Sequence, residues 1–116
     1  MAGRSILITG ANGFVGPHLA RALARSGVET HGIGLGAEPA GVGLASWRSL
    51  DLLDADDLSA VVGGLHPAAI VHLAGQSSAG RSFGDPEGTF SANVTGTANL
   101  LEAVRAGAPA ARVLVV

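Results

Sequence analysis

The sequence contains no cysteine, no tyrosine and no lysine, and all seven of its basic residues are arginine. Without cysteine there can be no disulfide, thiolate metal ligand or cysteine nucleophile. Without tyrosine and lysine, two side chains that often move protons in active sites are missing. No basic cluster occurs and the formal net charge is -2, so nucleic acid is not expected as the main partner. No stretch approaches the roughly 18 uninterrupted apolar residues that a membrane span requires. The apolar run near the N-terminus is too short for a signal peptide and is interrupted at once by Gly10. A soluble cytoplasmic protein without membrane contact is the expectation.

What is present is a chain of 116 residues, 47% of them hydrophobic, enough to bury the core of one domain. Apolar runs of strand length alternate with longer helical patterns. Ser5–Thr9 reads as a buried strand, and Phe14–Ser26 as a helix with Val15, Leu19, Ala22 and Leu23 at helical spacing. Gly27 is placed to end that helix. Val28–Ile33 reads as a second strand, residues 34–43 as a glycine-rich loop and Ser46–Leu50 as a short third strand. Asp54 is a plausible N-cap for a helix with Leu58, Val61, Val62 and Leu65 on its buried stripe, and Asp56 and Asp57 fill its first turn. Ala68–Ala74 reads as a fourth strand, apolar on both faces. A Gly/Ser loop then leads to a helix over about Glu87–Ala106, striped by Val94, Ala98, Leu101 and Val104. Arg112–Val116 is a fifth strand. Alternation of this kind predicts right-handed βαβ crossovers and a Rossmann-type, doubly wound parallel α/β sheet in the order 3-2-1-4-5.

The stretch LITGANGFVG places Gly10, Gly13 and Gly16 three residues apart, after a strand and before a helix. A helix N-terminus carries unpaired N–H groups and partial positive charge, and therefore attracts phosphate. Glycine lets the loop turn tightly and lets its backbone touch a pyrophosphate. Gly16 would let helix and strand pack closely, and Pro17 is tolerated in a first turn. The spacing is Gly-x-x-Gly-x-x-Gly, with Ala11 and Asn12 between the first two glycines, rather than the commoner Gly-x-Gly-x-x-Gly. In a chain with eighteen glycines, an ordinary tight βα turn is the plainer reading of the spacing taken alone.

TGANGFVG resembles the cofactor loop of the extended short-chain dehydrogenase/reductases, the NAD(P)-dependent sugar-nucleotide epimerases, dehydratases and reductases. Three further stretches follow in the family's order: LDLLD after the third strand, VHLAGQSS from Val71, and NVTGTANLLEAVRAG from Asn93. The resemblance covers essentially the whole chain. The run HLAGQSS…SF…P…T…N is most similar to the branch of GDP-mannose dehydratases and GDP-6-deoxy-mannose reductases. The resemblance implies NAD or NADP as cofactor. It implies a pyrophosphate cradle of Gly10, Asn12, Gly13, Phe14, Val15 and Gly16, an adenine wall of Asp51 and Leu52, and a floor of Leu73, Ala74 and Gly75. Gln76, Ser77 and Ser78 would face the nicotinamide or the sugar. Asn93 matches a helix asparagine that orders the active site in related enzymes.

The family's Ser/Thr would come after the fifth strand, with a Tyr-x-x-x-Lys later. Since the chain ends at Val116 without Tyr or Lys, no catalytic residue is assigned. The resemblance then implies the N-terminal part of a longer enzyme, truncated after the fifth strand and inactive alone. A non-catalytic NAD(P)-sensing or interaction module is the alternative. Val113–Val116 would be a bare apolar edge, which predicts marginal stability or self-association.

Several residues admit plainer roles. At the end of the second strand, where an acidic residue or an arginine usually reads the 2′ position of the adenosine ribose, the chain has Gly34, Leu35 and Gly36. Glu38 lies beyond, as a loop residue. NAD and NADP therefore stay open. Asp51 could equally cap a turn, Ser77 and Ser78 could be loop serines, and Asn93 a plain helix residue. His72, inside an apolar strand, reads as a core histidine. His18, His31 and His66 have no partners at metal-ligand spacing, so no metal site is assigned.

Overall fold

Five parallel strands, β1 (Ile6–Thr9), β2 (Thr30–Gly34), β3 (Ser46–Ser49), β4 (Ala69–His72) and β5 (Arg112–Val115), form one sheet in the order β3-β2-β1-β4-β5. The structure, a computed structural model, describes residues 4–73 and 86–116. β1 is central. Its Ile6 pairs with Thr30 on one side and with Ala69 on the other. Among the described residues three helices connect and cover the strands: α1 (Gly16–Arg25), α2 (Ala55–Leu65) and α3 (Pro86–Gly107).

Strand alternation divides the core in two. Leu7 and Ile70 point to the face covered by α2 and α3, where they meet Leu58, Val62, Leu100 and Val104. Ile8 points the other way, to Ala11, Ala20, Val42 and Leu73 beside α1. Leu7 and Ile8 are both fully buried, so a single strand supplies both cores. The doubly wound order and the element sequence follow the expectation drawn from the alternating pattern.

Element ends differ from the sequence reading by at most two residues. α1 begins at Gly16 instead of Phe14, because Phe14 and Val15 stay in the glycine loop; Val15 is the N-cap residue and is exposed, as is Ala22. Gly27 does end α1. Its φ is 77°, and the Val28 N–H donates to the Leu23 carbonyl at 3.0 Å, the reach-back bond of a glycine-terminated helix. Asp54 caps α2 as expected, accepting the Asp57 N–H at 3.1 Å. Asp57 also has a role beyond first-turn charge: it pairs with Arg48 and so ties β3 to α2.

The expected stripe of α3 is corrected. Val94 and Leu101 are 52% and 47% exposed, and Ala98 is exposed as well. The buried track runs through Gly96, Leu100, Ala103 and Val104. The helix carries two apolar tracks one residue apart, so periodicity alone could not rank Leu100 against Leu101. Contact with α2 ranks them. At Gly107 a Cβ would stand 3.0 Å from the Gly63 Cα, so the two helices touch through bare backbone there. Leu52, in the turn after β3, lays its side chain over Gly96, where an added Cβ would stand 3.2 Å from the Leu52 Cβ.

Candidate functional site

β1 ends at Thr9, and the chain turns at Gly10 with φ of 71°. The N–H groups of Gly10 and Ala11 both donate to the Ile33 carbonyl, at 2.8 and 3.2 Å, and so anchor the loop to β2. The Gly13 N–H then donates to the Gly10 carbonyl at 2.9 Å and closes a tight turn. Gly16 opens α1 directly over Ala11. A Cβ at Gly16 would lie 2.5 Å from the Ala11 carbonyl carbon and 2.6 Å from its Cα, and closer still to the carbonyl oxygen. Only glycine permits this approach of helix to loop.

The N-terminus of α1 is left open to an anion. No side chain caps it, its first turn holds no acidic residue, and Pro17 has no N–H to satisfy. Among the described residues the N–H groups of Phe14, Val15 and Gly16 have no acceptor. Phe14 is 92% exposed. Unpaired donors, the positive end of a helix dipole and backbone free of Cβ atoms are what a pyrophosphate requires. The residues present therefore fit a dinucleotide's phosphates, as the glycine spacing suggested.

Asn12 does something the sequence did not signal. Its Nδ2 donates to the carbonyls of Leu35 and Ala37, at 2.5 and 3.1 Å, across the mouth of the loop that follows β2. Glu38, further along that loop, is exposed. Asp51 accepts the Leu53 N–H at 2.9 Å through Oδ1, and its carbonyl accepts the Asp54 N–H. Its carboxylate thus already shapes the turn into α2. The Leu52 carbonyl accepts a hydrogen bond from Asn99 Nδ2 at 2.9 Å, which holds this turn to α3. The Leu73 side chain lies in the core beneath the glycine loop, with Ala11 and Ala20. Ala74, Gly75, Gln76, Ser77 and Ser78 lie outside the described residues. Asn93 lines an open groove of about 540 Å³ on the outer side of α3, with Val94, Thr97, Ala98 and Leu101.

His72 is the core histidine its apolar strand suggested. It is 1% exposed, and both ring nitrogens are engaged: Nδ1 with Thr9 Oγ1 at 2.6 Å and Nε2 with Thr97 Oγ1 at 2.9 Å. The Leu73 N–H donates to Thr9 Oγ1 at 3.1 Å. These bonds link the ends of β1 and β4 to α3, directly below the glycine loop. Burial pushes the His72 pKa below its usual 6.5 by disfavouring the charged ring. A second histidine, His31, bonds Ser46 and Glu29 at the starts of β2 and β3, at the opposite end of the sheet from the glycines.

A parallel sheet in the order 3-2-1-4-5, with its first strand running through bare glycine into a helix N-terminus, defines a Rossmann-type fold. The family model described as the NAD dependent epimerase/dehydratase family matches residues 6–116. The chain belongs to that family. Curated relatives include a GDP-6-deoxy-D-mannose reductase of Pseudomonas aeruginosa, 37% identical over 87% of this chain and 29% of that protein. A dTDP-glucose 4,6-dehydratase of Neisseria meningitidis is 33% identical over 89% of this chain and 32% of its own length. Among solved structures, a UDP-glucose 4-epimerase from Brucella ovis in complex with NAD superposes with a TM-score of 0.84 at 28% identity, covering 97% of this chain and 35% of that one. The chain thus spans about a third of the length of the relatives it matches. A GDP-mannose 4,6-dehydratase of Vibrio cholerae, at 33% identity, also lies among them, in keeping with the branch the sequence resembled. Among the described residues, no helix is long and apolar enough to cross a membrane.

Proposed function

We propose that this chain binds NAD or NADP through its glycine loop, as the cofactor-binding third of an enzyme that acts on a nucleotide-linked sugar. The observation that carries the proposal is the Gly16–Ala11 contact beneath unpaired N–H groups at the start of α1. Gly10, Gly13, Phe14, Val15 and Gly16 would hold the pyrophosphate, with Asn12 steadying the loop. Leu52 and Asp51 would stand beside the adenine. Leu73, Ala74 and Gly75 would form the floor, and Gln76, Ser77 and Ser78 would face the nicotinamide or the sugar. The nicotinamide, when bound, takes up and returns a hydride.

The chain's own residues bind and orient; they do not supply acid–base chemistry. With no Tyr and no Lys in 116 residues, and with His72 buried, none of the described residues is assigned to protonate a sugar oxygen. The chain alone is therefore expected to bind without turnover. That same lack supports the second reading, a non-catalytic NAD(P)-sensing or interaction module.

Calorimetric titration of the folded chain with NAD and with NADP tests the proposal. Dissociation constants of about 100 μM or tighter for at least one cofactor are expected, which corresponds to roughly 5 kcal/mol. Absence of heat with both, in a chain whose circular dichroism and cooperative melt show it folded, would overturn it.

The edge strand supports a separate proposal of self-association. Leu114, Val115 and Val116 are 61%, 53% and 61% exposed, and β5 pairs with β4 on one side only. Such edges template pairing with another chain. Sedimentation velocity should show a sedimentation coefficient that rises with concentration, and Leu114→Lys should abolish the rise. A concentration-independent monomer would count against it.

A further inference from the structure

We propose that Asn12, and no charged side chain, shapes the pocket for the adenosine ribose, and that this pocket therefore accepts a 2′-hydroxyl and a 2′-phosphate about equally. The inference rests on the dinucleotide reading above and goes beyond it, because that reading leaves the choice of cofactor open.

In this fold the ribose 2′ position is met at the end of β2, where a carboxylate selects the hydroxyl and an arginine accommodates the phosphate. Here that position is Gly34, followed by Leu35 and Gly36. The structure gives the reason for the glycine. Both hydrogens of the Asn12 amide nitrogen are engaged by carbonyls, those of Leu35 and Ala37. With two acceptors on one side, the amide has a single sensible orientation, and Oδ1 is turned toward Gly34. A Cβ at Gly34 would collide with Asn12 Oδ1, and would stand 2.9 Å from the Trp47 ring. Asn12 and an acidic residue at position 34 are thus mutually exclusive. The amide occupies the place from which a carboxylate would reach the ribose.

Among the described residues the surroundings supply no substitute charge. Glu38 is exposed and lies beyond Ala37 in the loop. Arg48, on the neighbouring strand, is paired with Asp57 of α2. Ser49, the register partner of Gly34, accepts the Gly36 N–H through its hydroxyl at 3.2 Å. What faces the ribose is backbone: the β2 end and a loop turned by Gly36, whose φ is 89°. Among the described residues nothing there repels a phosphate, and nothing there demands one.

The test uses the 116-residue chain, with NAD and NADP as probes and their affinity ratio as the readout. A loss of fold would move both affinities together and leave the ratio alone. For the wild-type chain the two dissociation constants should agree within about fivefold, a difference of roughly 1 kcal/mol. Gly34→Asp alone should lose both cofactors and melt at a lower temperature, because its Cβ meets Asn12. The double change Asn12→Gly with Gly34→Asp should melt above Gly34→Asp alone but below wild type, because the Trp47 ring still meets the new Cβ, and should favour NAD by about tenfold or more, since a charge-assisted bond to the 2′-hydroxyl replaces the amide. A wild-type ratio above tenfold in either direction would overturn the inference while leaving the cofactor reading intact. Gly34→Asp binding NAD well without any change at Asn12 would overturn it too. If the wild-type chain bound neither cofactor, the dinucleotide reading itself would fall.

Discussion

Gly16→Ala should abolish dinucleotide binding and cost the fold about 1–3 kcal/mol, the usual range for forcing a methyl group into packed space. The methyl would stand 2.5–2.6 Å from backbone atoms of Ala11, a contact that no side-chain rotation relieves. Either α1 moves away from the loop or the loop flattens, and in both cases the N–H groups of Phe14, Val15 and Gly16 lose their common aim. Urea denaturation and cofactor titration on the same preparation would separate the two losses. Gly63→Ala is the matched control. It is also a helical glycine, but a Cβ there meets nothing within 4 Å, and alanine in a helix is favoured over glycine by up to about 1 kcal/mol. A Gly16→Ala chain that bound cofactor as tightly as wild type would remove the Gly16–Ala11 contact as the basis of the site.

His72→Ala should be strongly destabilising, at about 3–5 kcal/mol, because it empties buried volume and removes a ring hydrogen-bonded to two hydroxyls. Thr9 would lose the His72 bond of 2.6 Å, keeping the one from the Leu73 N–H, and Thr97 would lose its 2.9 Å bond to the ring. The same residue gives the fold a pH dependence whose sign can be worked out. Burial lowers the pKa of His72 in the folded chain, whereas in the unfolded chain it titrates at the usual 6.5. Below 6.5 the unfolded chain therefore binds the extra proton and the folded chain resists it. The contribution of His72 is complete above 6.5 and is lost as the pH falls from there toward the lowered value. Its slope can reach about 1.4 kcal/mol per pH unit, one proton's worth. Urea midpoints of wild type and His72→Gln, measured between pH 7.5 and 5, should converge as the pH falls. Parallel curves would mean that His72 is not held neutral.

The order of elements and the glycine loop were legible in the sequence because both are local. A strand, a turn and a helix N-terminus within a dozen residues leave their mark in consecutive letters. Leu100 and Leu101 mark the limit of that legibility: each sits on an apolar track, and only the position of α2 buries one and exposes the other. Asn12 marks another. Its amide reaches carbonyls 23 and 25 residues away, and a backbone carbonyl has no signature in sequence. The bond between His72 and Thr9 spans 63 residues; the histidine was readable as a core residue, its partners were not. Asp51 was open between a turn and a ligand contact, and the structure shows the turn bond to Leu53.

The central position of β1 also bears on how the chain comes to be folded. β1 is made before both of its partners, Thr30–Ile33 and Ala69–His72. At a synthesis rate of roughly 5–20 residues per second, the 63 residues between Thr9 and His72 leave Leu7 and Ile8 without a complete sheet for about 3–13 seconds. Every sheet contact of β1 also waits on closure of a long loop, so folding should be slow for a chain of this size. Leu7 and Ile8, fully buried in the finished sheet, thus wait without their strand partners while the chain is made, and a chaperone that holds short aliphatic segments would find a target there.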